Sequence, residues 1–154
     1  MNVDARALLT LLGGARRRPA AHADDALAVS VCAANPHVDE AMARTRVSPF
    51  TTEVDLRIYV PGLSAERPDT IVEVVEASVL EVWRARAGGV DAVNIDVVLG
   101  HRDAEDRLGD DRAMRVAPLG SALGPGVQAS WRRLTFPEHE LVRRFGAAPP
   151  EAGR

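Results

Sequence analysis

Between Glu53 and Val60 the chain alternates strictly, with Val54, Leu56, Ile58 and Val60 apolar and Glu53, Asp55, Arg57 and Tyr59 standing between them. A period of two is that of a strand with one buried and one wet face. Pro61-Gly62 ends the run. From Pro68 the period becomes helical: Ile71, Val75, Val79 (or Ser78), Val82 and Ala85 form one stripe, flanked by Val72 and Trp83, with Glu73, Glu76 and Arg84 elsewhere on the surface. Pro68 suits a first helical turn, Asp69 complements the helix N-terminus, and Gly88-Gly89 predicts the stop. Ala92 to Val98 then places Val93, Ile95 and Val97 on one strand face. Strand, helix of about five turns and strand make a βαβ unit over residues 53–99, and a crossover of that length predicts parallel strands.

Outside this unit the pattern is weaker. Ala26 to Ala33 reads as another strand because it is a short apolar run, and Asn35 to Arg46 reads as a short helix with Asn35 as N-cap and Pro36 at its first position. Residues 101–112 are too polar to bury, and residues 117–126 have the Gly/Pro density of a linker. Val127 to Phe145 scatters Trp131, Leu134, Phe136, Leu141, Val142 and Phe145 among arginines, which predicts one or two short helices broken at Pro137. The expected fold is α/β or α+β, a small two-layer sandwich of three to four strands. Its expected organisation is an N-terminal helix and linker over residues 1–24, an α/β domain over 25–112 and a basic, Pro/Gly-rich extension over 113–154.

Charge is spread unevenly along the chain. Residues 1–52 carry +1, residues 53–111 carry −8 and residues 112–154 carry +4, within a net charge of −3. All 19 basic residues other than histidine are arginines, in a chain with 25 alanines, the signature of a GC-biased coding sequence. With no lysine the chain has no P-loop lysine, no Schiff-base lysine and no kinase strand lysine. The single cysteine, Cys32, forms no internal disulfide, and no Cys/His cluster has zinc-finger spacing. The short apolar run Ala7 to Leu12 precedes its arginine cluster, the reverse of a signal peptide, so a cytoplasmic location is expected.

Candidate chemistry is sparse. His101, Asp103 and Asp106 could offer ligands to a divalent cation, but the loop lacks the spacing of a calcium site, and a solvated loop laced with arginines is the plainer reading. Cys32 with His37 has the residue types of a nucleophile and base, although Cys32 lies in an apolar run that suits burial. A small-molecule or metal site would belong at the carboxyl ends of the strands, near Tyr59 and His101. No cofactor is expected, and no catalytic set is legible. Glu53, Asp55 and Asp96 would line up on the wet face if their strands are adjacent, with Asn94 and Arg57 beside them. The acidic middle of the chain would repel nucleic acid, whereas Trp131, Arg132, Arg133 and Phe145 suit contact with an acidic partner or an anionic membrane surface.

Residues 54–99, VDLRIYVPGLSAERPDTIVEVVEASVLEVWRARAGGVDAVNIDVVL, resemble the core of alkaline-shock-protein-like domains: an alternating strand, a helix rich in Val and Glu, a glycine break and a V-x-I-x-V strand. That resemblance implies a small, oligomerising, non-enzymatic scaffold. The same stretch is similar to the cytoplasmic domain of cation-diffusion-facilitator transporters, whose metal histidines belong on the strands and helix. Residues 47–100 contain no histidine, so metal binding does not carry over. The expectation is an interaction or scaffold domain that forms a homo-oligomer or docks a protein partner, with Arg57, Tyr59, Trp131, Arg132, Arg133 and Phe145 as contact residues.

Overall fold

The computed structural model describes residues 20–87, 89–102, 117–130 and 133–147. Its core is the expected βαβ unit, in which strand β3 (Thr52–Tyr59) pairs in parallel with β4 (Ala92–Val98) across helix α2 (Pro68–Ala85). Val54, Leu56 and Ile58 lie opposite Val93, Ile95 and Val97 on one face. All six are buried there, beneath Ile71, Val74, Val75, Val79 and Val82 of α2. Ala85, expected on the stripe, is exposed at the helix end, whereas Trp83 is buried and donates from Nε1 to the carbonyl of Gly146 at 3.2 Å.

Two upstream expectations are corrected. Ala26 to Ala33, expected as a strand, lies in helix α1 (Asp25–Ala34). Asp24 is its N-cap, its carboxylate accepting from the Leu27 amide at 3.0 Å, and Leu27 and Val31 point one turn apart into the core. The apolar run had no period of its own, and such a run suits a buried strand and a packed helix equally well. Asn35, expected as an N-cap, is instead the C-cap of α1, and its buried amide donates to Ser78 Oγ of α2 at 3.0 Å. The segment expected as a helix beyond it contains strand β2 (Glu40–Val47). β2 folds back through Ser48–Thr51 to pair antiparallel with β3, and a four-residue strand β1 (Ala20–Ala23) pairs with its other edge.

The C-terminal segment, expected as an extension, completes the sheet. Strand β6 (Arg133–Pro137) pairs antiparallel with β4 and buries Leu134 and Phe136, and the two-residue β5 (Gln128–Ala129) pairs with β6. Helix α3 (Ala117–Leu123) precedes them and helix α4 (Glu138–Phe145) follows. The sheet therefore has six strands in the order β1-β2-β3-β4-β6-β5, more than the three to four expected. It is an open mixed sheet in an α+β sandwich of two layers. Residues from all four described helices enter one hydrophobic cluster with the same face of the sheet.

A polar clasp fixes α4. Glu140 is buried, and it accepts from Arg143 Nε at 2.9 Å and from Arg144 Nε at 2.7 Å. Arg144 also reaches Glu76 of α2 at 2.5 Å and the Leu123 carbonyl at the end of α3. The hydrogen bonds from Arg143, joined by those from Arg144, hold the Glu140 carboxyl down at about 2 despite its burial. Gly126 lies against that carboxylate so closely that a Cβ would collide with it.

Candidate functional site

With the described helices on one side, the other face of the sheet carries the polar half of each described strand. Register sets its pattern. Arg46 lies beside Glu53, Arg44 beside Asp55 and Met42 beside Arg57 across β2 and β3. Asp55 faces Asn94 and Arg57 faces Asp96 across β3 and β4, and Asn94 and Asp96 face Thr135 and Arg133 across β4 and β6. The alternation of residues 53–60 and 92–98 thus brings Glu53, Asp55, Arg57, Asn94 and Asp96 together, as adjacent strands require. Arg44, Arg46 and Thr135 were missed because β2 and β6 were not recognised as strands, and Arg133, expected as a contact residue of a C-terminal extension, joins this network through β6. The signal for β2 was present in the alternation of Ala41, Ala43 and Thr45 with Met42, Arg44 and Arg46.

These side chains form a network that crosses four strands. Arg46 donates to Glu53 at 2.6 Å and to Asp55 at 3.0 Å. The Asn94 amide donates to Glu53 at 3.2 Å and to Asp55 at 2.9 Å, while its carbonyl accepts from Thr135 at 2.8 Å. Arg133 grips Asp96 with two parallel hydrogen bonds of 3.0 and 3.1 Å, and Arg57 reaches the same carboxylate at 3.4 Å. A longer ion pair of 3.8 Å between Arg133 and Asp55 joins the two halves. The hydrogen bonds to Asp96 raise the Arg133 guanidinium further above its ordinary value. Arg44 is exposed and pairs with no acid among the described residues.

A depression of about 200 Å³ opens on this face between Met42, Arg44, Asp55, Arg57, Asp96 and Arg133. Small-molecule pockets usually measure roughly 300–1,000 Å³. This one has room for a side chain. Counting Glu40, which shares this face and pairs with Arg102, five arginines (44, 46, 57, 102 and 133) and four acids (40, 53, 55 and 96) leave one positive charge in excess among the described residues, in a chain whose net charge is −3.

Of the remaining expected site residues, those that are described take no part in this network. Tyr59, expected on the wet face, is buried, with its hydroxyl 3.7 Å from Met42 Sδ. His101 is exposed beside Asp39 at 3.2 Å, and Arg102 pairs with Glu40 at 2.6 Å. Asp103, Asp106, Trp131 and Arg132 lie outside the described residues. Among the described residues, no group of three or more His, Cys, Asp or Glu side chains is placed to hold a metal ion. Phe145 is half-buried against the helical core, away from Arg57 and Arg133. Cys32 lies on α1 at the edge of the core, its thiol pushed up by burial, and His37 is exposed. No described helix is long and apolar enough to cross a membrane. Comparison with protein-family models, with curated protein sequences and with solved structures finds no match to this chain.

Proposed function

We propose that this chain is a non-enzymatic interaction domain that receives a protein partner on the sheet face opposite the described helices. The observation that carries this reading is the polar network of that face. It spans four strands, is built largely from half-buried side chains and presents a preformed relief of charge around a depression of side-chain size. Such a surface has little conformational freedom left to lose on binding, which lowers the entropic cost of association. A bound small molecule is less well served, because the depression is small and its two carboxylates are already taken up by arginines. The resemblance of residues 54–99 to alkaline-shock-protein-like domains agrees with a scaffold role.

The test is a photo-crosslinking amino acid placed at position 44 on the sheet face and, in a second protein, at position 73 on the exposed side of α2. Both are expressed in cells of the source organism. A discrete crosslinked species is expected from position 44 alone. Equal patterns from both positions, or none from either, would refute the reading.

A further inference from the structure

The charge around the depression identifies the chemistry of the occupant, granted that the sheet face is the docking face. We propose that the partner presents an acidic segment, one carboxylate of which enters the depression and is gripped by Arg44 beside Arg133. Three arginines line this depression against two aspartates. Each aspartate already has a guanidinium: Asp96 holds Arg133 in a two-pronged pair, and Asp55 lies 2.7 Å from Arg46. Arg44 is the guanidinium left exposed at the rim, and it pairs with no acid among the described residues. Its planar fork matches a carboxylate in geometry as well as charge.

The same arithmetic sets aside a second copy of this chain. Two such faces brought together would place one positive excess against another, and like charges across an interface oppose association. An acidic segment instead meets a local excess of positive charge. Because the chain as a whole is negative, general attraction cannot draw an acidic peptide to it, and binding has to come from a local site.

Fluorescence anisotropy with labelled hexaglutamate and the full chain at low salt tests this, with hexaglutamine as the neutral control. Hexaglutamate is expected to bind and hexaglutamine not. Arg44→Ala should weaken binding about threefold and Arg44→Glu about tenfold, the scale of one and two exposed ion pairs. Asp96→Asn, which removes a competing negative charge from the same depression, should tighten it. Circular dichroism checks that each variant is folded. Binding that ignores all three substitutions, or no binding of hexaglutamate at millimolar concentration, would overturn the acidic partner. The crosslinking residue at position 44 replaces Arg44 and should weaken an acidic contact only about threefold, as Arg44→Ala does, so a crosslink obtained without hexaglutamate binding leaves the docking face standing while its acidic occupant falls. A dimer seen by light scattering and dissolved by Arg44→Glu, without hexaglutamate binding, would assign the face to a second copy and overturn this inference.

Discussion

Arg133 on β6 and Asp96 on β4 face each other directly in register, and the guanidinium closes on the carboxylate with two parallel hydrogen bonds. The pair ties the last long strand to the βαβ unit through side chains as well as backbone. Asp96 is the more buried partner, and it also holds Arg57. Asp96→Ala is therefore expected to destabilise the fold by about 1.5 kcal/mol, the scale of hydrogen bonds to a charged group. Arg133→Lys should recover little of the loss in Arg133→Ala, because an ammonium cannot make the two-pronged contact. Urea unfolding of the three variants measures both effects.

Glu140 gives the fold an acid-sensitive element. Its carboxyl is held at about 2 in the folded chain, below its ordinary value, first by hydrogen bonds from Arg143 and then by those from Arg144. A depressed carboxyl contributes stability that is fully present above its unfolded pKa of about 4.3 and is lost as pH falls toward its folded value. Unfolding free energy should fall between about pH 4.5 and pH 2 in the parent chain and fall less over that window in Glu140→Gln. At neutral pH, Glu140→Ala should cost about 3 kcal/mol, since it leaves the mostly buried Arg144 with one acid instead of two.

Gly126 makes room for that carboxylate. Gly126→Ala drives a methyl group into the Glu140 head and should cost about 2 kcal/mol by overpacking. In a Glu140→Ala background the obstacle is gone, so the double variant should be hardly less stable than Glu140→Ala alone. Additive losses in thermal unfolding would show that Gly126 matters for some other reason.

The link between α1 and α2 predicts an asymmetry. Asn35 donates to Ser78 Oγ, and Ser78 in turn donates to the Val74 carbonyl at 2.7 Å. Ser78→Ala leaves the buried Asn35 amide without its acceptor and should cost about 2 kcal/mol. Asn35→Ala leaves the Ser78 hydroxyl still bonded and should cost about 1 kcal/mol. Denaturant midpoints of the two variants decide it.

Legibility in the sequence followed amphipathicity. β3, α2 and β4 each separate apolar from polar positions cleanly, and each was readable. In α1, Ala26 to Ala33 is apolar or small at every position, so no period marks it as a helix, and the N-capping Asp24 was the remaining cue. The β2–β3 turn, Ser48-Pro49-Phe50-Thr51, has no glycine or asparagine to announce a hairpin. It is closed instead by Ser48 and Thr51, through the Ser48 amide on the Thr51 carbonyl at 2.8 Å and contacts of the Ser48 hydroxyl. β6 was hidden by its brevity and by arginines that suggested a tail. Half of the polar network was readable from β3 and β4, and of the half contributed by β2 and β6 only Arg133 was singled out, as a residue of a basic tail and not of a strand.

The place of β6 in the sheet has a consequence for synthesis. Because β4 is complete by Val98 and its outer neighbour ends at Pro137, the ribosome must add 39 further residues before that edge can be covered. At about 5–20 residues per second this leaves β4 unpaired on one side for roughly 2–8 s. Over that interval its backbone is open to any strand that comes near. Asn94 and Asp96, which later bind Thr135 and Arg133, keep one face of that edge polar while it waits. Side chains that shape the finished surface thus also give the waiting edge a polar flank.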